Sequence, residues 1–289
     1  MDAVLLGLLA GVLFGAMTIA VRAGLLRGGD FAFGGVVIAS SAFVVSACLA
    51  VPSLVSEGLD LASLLPFAAV GFFVPGLSQL LFILAVRYAG ASRAAILIGT
   101  APLGSVLLAM ALLDEPLRPV LLVGTTLIVA GGAALALDPG RPAGFRAIGV
   151  VLALTCAALF AGRDNAVRWI ARDDDVPPLQ ATALTLLAAT LAAVLYVLAT
   201  RRDVSRAIAR TTARAFVPAG VLLAFAYGAL VMGFDRGDVG IVAPLNATQS
   251  LWALAFAAIV YGKREAIGRR TVLASLLIVL GGALIGAFR

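Results

Sequence analysis

The sequence predicts an all-α integral membrane protein whose ten transmembrane helices form two inverted repeats of five. Composition, the length of the apolar runs and an internal duplication lead to this prediction. Hydrophobic residues make up 62% of the 289-residue chain and charged residues 12%, whereas a soluble domain carries roughly a quarter charged residues. A soluble fold of this length could not bury so much apolar surface, which indicates a polytopic membrane protein.

Ten apolar runs are each about long enough to cross the hydrocarbon core of a bilayer, which takes about 20 helical residues. Lipid offers the backbone no hydrogen-bond partners, so the crossing segments are expected to be helices. The predicted spans cover residues 3–21, 31–54, 64–86, 94–113, 120–137, 147–170, 178–200, 215–234, 241–261 and 271–288.

An internal duplication relates the two halves of the chain. The stretch 90–137 consists of two apolar runs around a short polar break, and it recurs 150 positions later. Residues 13–25 recur as 159–171, with Leu-Phe and Ala-Val-Arg at the same spacing. The matched residues of the first pair are Gly90, Glu115, Gly131 and Gly132 with Gly240, Glu265, Gly281 and Gly282. We therefore expect two units, residues 1–140 and 145–289.

Five spans per unit is an odd number, so the second unit enters the membrane from the opposite side. The two units are then related by a pseudo-two-fold axis in the membrane plane. Inverted repeats of this kind are typical of secondary transporters, with the substrate site near the midplane between the copies.

The distribution of charge predicts the orientation in a bacterial inner membrane. With the N-terminus outside, 15 of the 21 basic residues fall in cytoplasmic connections, and 11 of the 15 acidic residues fall on the other side. The positive-inside rule then predicts that both termini are periplasmic. The segment 201–214 holds five of these arginines and is expected to lie on the anionic membrane surface. Membrane lipid, and not nucleic acid, is therefore the predicted partner of the net positive charge.

The composition argues against an enzyme and against a metal site. The chain has no histidine, and Cys48 and Cys156 both lie within apolar runs, which suits neither a disulfide nor a metal site. We expect no cofactor, no metal and no catalytic residues, and no obligate protein partner is evident. The first apolar run has no basic segment before it, so we interpret it as a true span and not as a cleaved signal.

Three prolines within the spans are predicted to kink their helices or act as hinges. Pro75, Pro102 and Pro244 each lack the N–H that would bond the carbonyl four residues earlier. In lipid such a carbonyl needs another partner or a wet cavity. The alternative is that these prolines are simply tolerated kinks.

Polar and aromatic side chains near these prolines are predicted to line a substrate cavity. Asn246, Gln249 and Ser250 have the i, i+3 and i+4 spacing of one helix face, and an amide pair that faced lipid would be unfavourable. Hydrogen bonding between helices is the alternative for this face. The further candidates are Ser78, Gln79 and Phe82 after Pro75, Thr100 near Pro102, and Phe225 and Tyr227 in the eighth span.

The sixth span carries a cluster of charges, Arg163, Asp164, Asn165 and Arg168. Ionisable groups in a span are functional candidates by default. Asp164 and Arg168 are four residues apart and are expected to pair. Arg163 is then left to bind a substrate carboxylate, because the guanidinium fork suits bidentate recognition.

The repeat, with its Glu-containing hairpin and glycine-rich fifth helix, resembles the EamA domain of the drug/metabolite transporter superfamily. The matching stretch is AVRYAGASRAAILIGTAPLGSVLLAMALLDEPLRPVLLVGTTLIVAGG, with its echo in the second half. The resemblance covers the whole chain and implies an exporter of amino acids or related metabolites, a class that includes exporters of aromatic amino acids. Two features depart from the family. Phe14-Gly15 replaces a Trp-Gly, and Glu57 and Asp60 stand where basic residues usually imply a cytoplasmic N-terminus.

We therefore predict a secondary transporter that exports small metabolites by alternating access. Amino acids are the expected small-molecule substrate, with broad specificity, and nucleosides, sugars or cationic compounds are the alternative. A channel or lipid-handling protein is a further rival, although no span shows a filter motif or a ring of like charges. Proton coupling and facilitated diffusion both stay open.

Overall fold

The computed structural model describes residues 2–113, 119–136, 146–173, 176–200 and 205–261, with scattered positions between 273 and 284. These residues are helical apart from short connections. The helices are α1 (Ala3–Leu26), α2 (Phe31–Glu57), α3 (Leu61–Gly71), α4 (Ser78–Ala89), α5 (Ala91–Ile98), α6 (Ala101–Leu112), α7 (Pro119–Ala136), α8 (Ile148–Asp173), α9 (Pro178–Ala199), α10 (Arg206–Arg236), α11 (Val239–Asn246) and α12 (Gln249–Tyr261). Glu115, Glu265 and Gly282 lie outside the described residues.

The predicted fold class is confirmed. Seven described segments are long and apolar enough to cross a membrane, judged by length and composition, and the apolar helices Ala101–Leu112 and Pro119–Gly131 are shorter. The third, fourth and ninth predicted spans are each interrupted, the third by a kinked segment, Phe72–Leu77, between α3 and α4. The described positions between 273 and 284, which fall in the tenth predicted span, are helical.

The arginine-rich segment 201–214, which was predicted to lie on the membrane surface, is described from residue 205 onwards. Helix α10 already begins at Arg206, where the Ser205 hydroxyl accepts a bond from the Ile208 amide. The first turns of α10 are therefore exposed and basic. Arginine is a good helix former, and an apolar run that follows directly lets the same helix continue into the membrane.

Aspartates begin the first three helices. Asp30 precedes α2, and its carboxylate accepts hydrogen bonds from the amides of Ala32 at 3.0 Å and Phe33 at 2.9 Å. Asp2 and Asp60 cap α1 and α3 in the same way. These bonds satisfy amides that have no partner within the helix.

The two halves of the chain interlock, and their contacts are symmetric. Helix α1 packs on α10, and α8, its counterpart, packs on α4. Helix α1 also packs on α11 and α12, and correspondingly α8 packs on α5 and α6. Helix α2 packs on α10, and correspondingly α9 packs on α3. The pair α2–α9 joins counterparts directly, and the contact of α6 with α11 corresponds to that of α12 with α5. This pattern is the one expected from a two-fold relation between the repeats.

Candidate functional site

The fourth and ninth spans are broken by the same turn. The turn runs from Leu97 to Thr100 in one and from Leu245 to Thr248 in the other. In each, the threonine N–H donates to the leucine carbonyl at 3.2 Å, and the threonine hydroxyl donates to the same oxygen at 2.7 Å. Interrupted helices at corresponding positions of two repeats indicate the substrate site of a transporter.

The three predicted kink prolines lie at or beside the interruptions. Pro75 is within the kinked segment, directly after Val74, whose φ of −140° and ψ of 109° leave the helical region. Pro102 is at the start of α6, after the break, and Pro244 is near the end of α11, before it. Their action as hinges stays a prediction.

Glycines of α1 allow close packing against the broken ninth span. A Cβ on Gly11 would lie 2.7 Å from the Thr248 hydroxyl, and one on Gly15 would lie 2.9 Å from the Gln249 carbonyl. The absence of a side chain at both positions lets α1 approach the break. The following residues of α1 can then reach the space between the repeats.

A cavity lies between the two halves, beside the kinked segment. Its volume is about 20 Å³, enough for about one water molecule. Six predicted residues line it, namely Pro75, Gln79, Phe82, Arg163, Tyr227 and Gln249. Five further lining residues were not predicted to bind substrate, namely Phe14, Met17, Thr18, Phe160 and Leu223. Of these, Phe14 had been noted only as a departure from the family. They belong to apolar runs, where spacing gives no signal for one face.

Four predicted binding residues do not line this cavity: Ser78, Thr100, Asn246 and Ser250. The helix that was predicted to carry Asn246, Gln249 and Ser250 on one face is interrupted, because α11 ends at Asn246 and α12 begins at Gln249. That these residues line one substrate path stays a prediction. Ser250 instead donates its hydroxyl to the Ala247 carbonyl at 3.1 Å. Phe225, paired with Tyr227 in the prediction, is 46% exposed on the outer surface of the bundle.

The predicted pairing within the charge cluster was also wrong. Arg163, not Arg168, pairs with Asp164: its Nη2 lies 2.6 Å and its Nε 3.0 Å from Oδ1. Arg168 donates to the Phe234 carbonyl at 2.9 Å and lies 3.4 Å from Asp238. That carbonyl is among the last of α10 and has no partner within the helix, so it competes successfully for Arg168.

The Arg163–Asp164 pair is buried and held from several sides. Each side chain is 4% exposed. The second carboxylate oxygen of Asp164 accepts from the Ser105 hydroxyl at 2.8 Å. The guanidinium lies 4.9 Å from the ring centre of Phe160 and 5.6 Å from that of Tyr227, within the range of cation–π attraction.

Two further polar groups face the same region. The Tyr227 hydroxyl donates to the Val74 carbonyl at 3.4 Å, which partners the irregular backbone before Pro75. The buried Nε2 of Gln79 has no hydrogen-bond partner among the described residues. Because an unpaired buried donor is unfavourable, this amide is available to a bound molecule.

Comparisons with known proteins agree with this architecture. No curated protein matches the sequence. A solved crystal structure of another protein shares 23% sequence identity, covers 98% of this chain and 95% of that one, and superimposes with a TM-score of 0.74, which shows the fold. The model of the EamA-like transporter family matches residues 1–137 and again 147–287. Since the two matches together take in nearly the whole sequence, the chain belongs to the EamA-like transporter family, whose members are transporters and not enzymes.

Proposed function

We propose that this protein exports amino acids across a bacterial inner membrane by alternating access. The observation that carries the proposal is the guanidinium of Arg163 in the wall of the cavity between the repeats. A carboxylate is the ligand that a guanidinium fork suits best. Nε2 of Gln79, which has no hydrogen-bond partner in the described part of the chain, supplies a second donor for the same polar end of a substrate.

The remaining wall favours an apolar side chain on the substrate. Phe14, Met17, Phe82, Phe160 and Leu223 line the cavity. Such a surface accepts apolar groups of different size with small differences in affinity. The expected substrates are therefore several neutral amino acids and not one.

Alternating access is supported by how the cavity is closed. An amino acid does not fit into about 20 Å³, so the surrounding helices must separate to bind it. Both ends of the ninth span are held to a neighbouring helix. Arg168 of α8 lies 3.4 Å from Asp238 at the start of α11, and Arg22 of α1 lies 4.3 Å from the ring centre of Tyr261 at the end of α12. Opening one contact at a time would expose the cavity to one side only.

Counterflow in proteoliposomes tests the proposal. Vesicles loaded with unlabelled phenylalanine should accumulate labelled phenylalanine, because a carrier exchanges the two. Unlabelled phenylalaninamide, which lacks the carboxylate, should not replace phenylalanine inside the vesicles. Absence of counterflow with a panel of neutral amino acids would reject the function, and equal exchange of the amide would reject carboxylate recognition.

A variant of Gln79 tests the site. Gln79→Leu removes a donor that has no partner among the described residues, so folding should be little affected. Loss of one hydrogen bond to the substrate should raise the half-saturation concentration roughly 2- to 10-fold. Phe225→Leu, on the exposed side of α10, is the control and should leave it unchanged. Equal values for the two variants would place Gln79 outside the substrate path.

A further inference from the structure

The ion pair beside the cavity has a geometry that the binding of a carboxylate would reproduce. Nε and Nη2 of Arg163, the two donors that a bidentate carboxylate would use, both donate to Oδ1 of Asp164. Arg163 lines the cavity, whereas Asp164 lies behind it on the side of α6, where Ser105 holds its other oxygen. Asp164 therefore occupies the position on the guanidinium that a substrate carboxylate would need.

A transporter that returns without substrate must move its binding site through the membrane unloaded. An arginine within a span is unfavourable unless it has an anion or reaches water. Breaking a buried ion pair by removal of one partner is also strongly unfavourable. In the part of the chain that the structure describes, Asp164 is the acid paired with Arg163, and Arg168 is turned away towards Asp238.

We propose that Asp164 is an internal substitute for the substrate carboxylate, and that it allows the unloaded carrier to reorient. The proposal rests on the export of amino acids proposed above. In the unloaded state, Asp164 neutralises Arg163. In the loaded state, the substrate carboxylate takes the guanidinium, and the substrate ammonium group takes Asp164 together with the Ser105 hydroxyl.

Both states then carry no net charge at the site, and no proton needs to move. The consequence is net efflux: the protein releases an amino acid on one side and returns without having to bind another. A carrier that lacked the internal anion would have Arg163 paired only when loaded. It would be confined to exchange of one substrate molecule for another.

Two assays on the wild-type protein give the first test. Exchange is measured as counterflow of labelled phenylalanine, and net efflux as loss of label from vesicles diluted into amino-acid-free buffer. We expect the two rates to agree within about tenfold, and a pH dye inside the vesicles to report no proton movement. Net efflux 100-fold slower than exchange, or one proton moved per substrate, would overturn the proposal. Absence of both activities would instead contradict the proposed function.

Asp164→Asn gives the second test, because it keeps the shape of the side chain and removes its charge. The half-saturation concentration for exchange should rise, because the substrate ammonium group loses its anion, but exchange at saturating phenylalanine should persist. Net efflux should fall roughly 100-fold or more, since the unloaded carrier must now move an unpaired guanidinium. Unchanged net efflux, or equal loss in both assays, would show that Asp164 has no such role.

Two further variants separate charge from structure. Ser105→Ala removes a hydrogen bond to Asp164 but keeps the ion pair, so the ratio of efflux to exchange should match wild type. Arg163→Gln combined with Asp164→Asn removes both charges, so this ratio should return to the wild-type value at a higher half-saturation concentration. If the double variant exchanges substrate but shows no net efflux, the proposal is refuted. The double variant provides this test even if Asp164→Asn alone fails to fold.

Discussion

Replacing Gly15 by alanine tests whether close packing of α1 on the broken ninth span supports the site. A Cβ at Gly15 would lie 2.6 Å from the Cβ of Trp252, 2.8 Å from the amide nitrogen of Ala253 and 2.9 Å from the carbonyl oxygen of Gln249. Ordinary contacts begin at 3.4 Å, so the helices would have to separate by about 0.8 Å. Two of these atoms are backbone and cannot rotate away. Such overpacking typically destabilises a protein by about 1–3 kcal/mol.

Gly162 supplies a matched control in α8, the counterpart of α1. It is exposed, and a Cβ there would meet none of the described residues within 4 Å. Both substitutions gain the same helix propensity, about 1 kcal/mol, so their difference isolates the packing term. Thermal unfolding in detergent, followed by tryptophan fluorescence, should place the Tm of Gly15→Ala below that of Gly162→Ala by about 2–12 °C. Equal Tm values would refute the close approach of α1 to α12.

Two other predictions concern the cavity and the orientation. In a protein with Cys48 and Cys156 replaced by alanine that still transports, Gln249→Cys should react with a water-soluble thiol reagent, because Gln249 lines the cavity. Ser250→Cys is the control and should not react, because Ser250 is buried outside the cavity. Equal reactivity of the two variants would mean that Gln249 does not line the cavity. The predicted orientation places 15 of the 21 basic residues on the cytoplasmic side, so a reporter fused to the C-terminus should be active if it works in the periplasm and inactive if it works in the cytoplasm. The reverse pattern would show that the positive-inside rule fails for this protein.

The fold could be predicted from the sequence because it depends on bulk properties. Membrane spans follow from the length of apolar runs, and the repeat relation follows from identities at fixed spacing. Pro75, Pro102 and Pro244 pointed to the interruptions because a proline removes a specific hydrogen bond, although Pro52, Pro66 and Pro218 lie within continuous helices. These features depend on each segment separately and not on what packs against it.

The lining of the site could not be predicted in the same way. Phe14 and Phe160 sit in apolar runs whose faces are all hydrophobic, so periodicity does not distinguish a cavity from a lipid-facing surface. Asn246 and Gln249 were assigned to one face because the sequence does not show that the helix stops between them. The break is closed by a local hydrogen bond from Thr248 to Leu245, and α1 packs closely against it, which is a tertiary feature.

The two arginines of the duplicated Ala-Val-Arg motif make different contacts in the two repeats. Arg22 and Arg168 hold equivalent positions in α1 and α8, yet both contact the ninth span, at opposite ends. Arg22 lies over the ring of Tyr261, whereas Arg168 reaches the Phe234 carbonyl and Asp238. Because Arg168 is bound there, Asp164 is left to Arg163. Arg168, the second copy of the inherited arginine, thus ties α8 to the junction of α10 and α11 and leaves the Arg163–Asp164 pair intact.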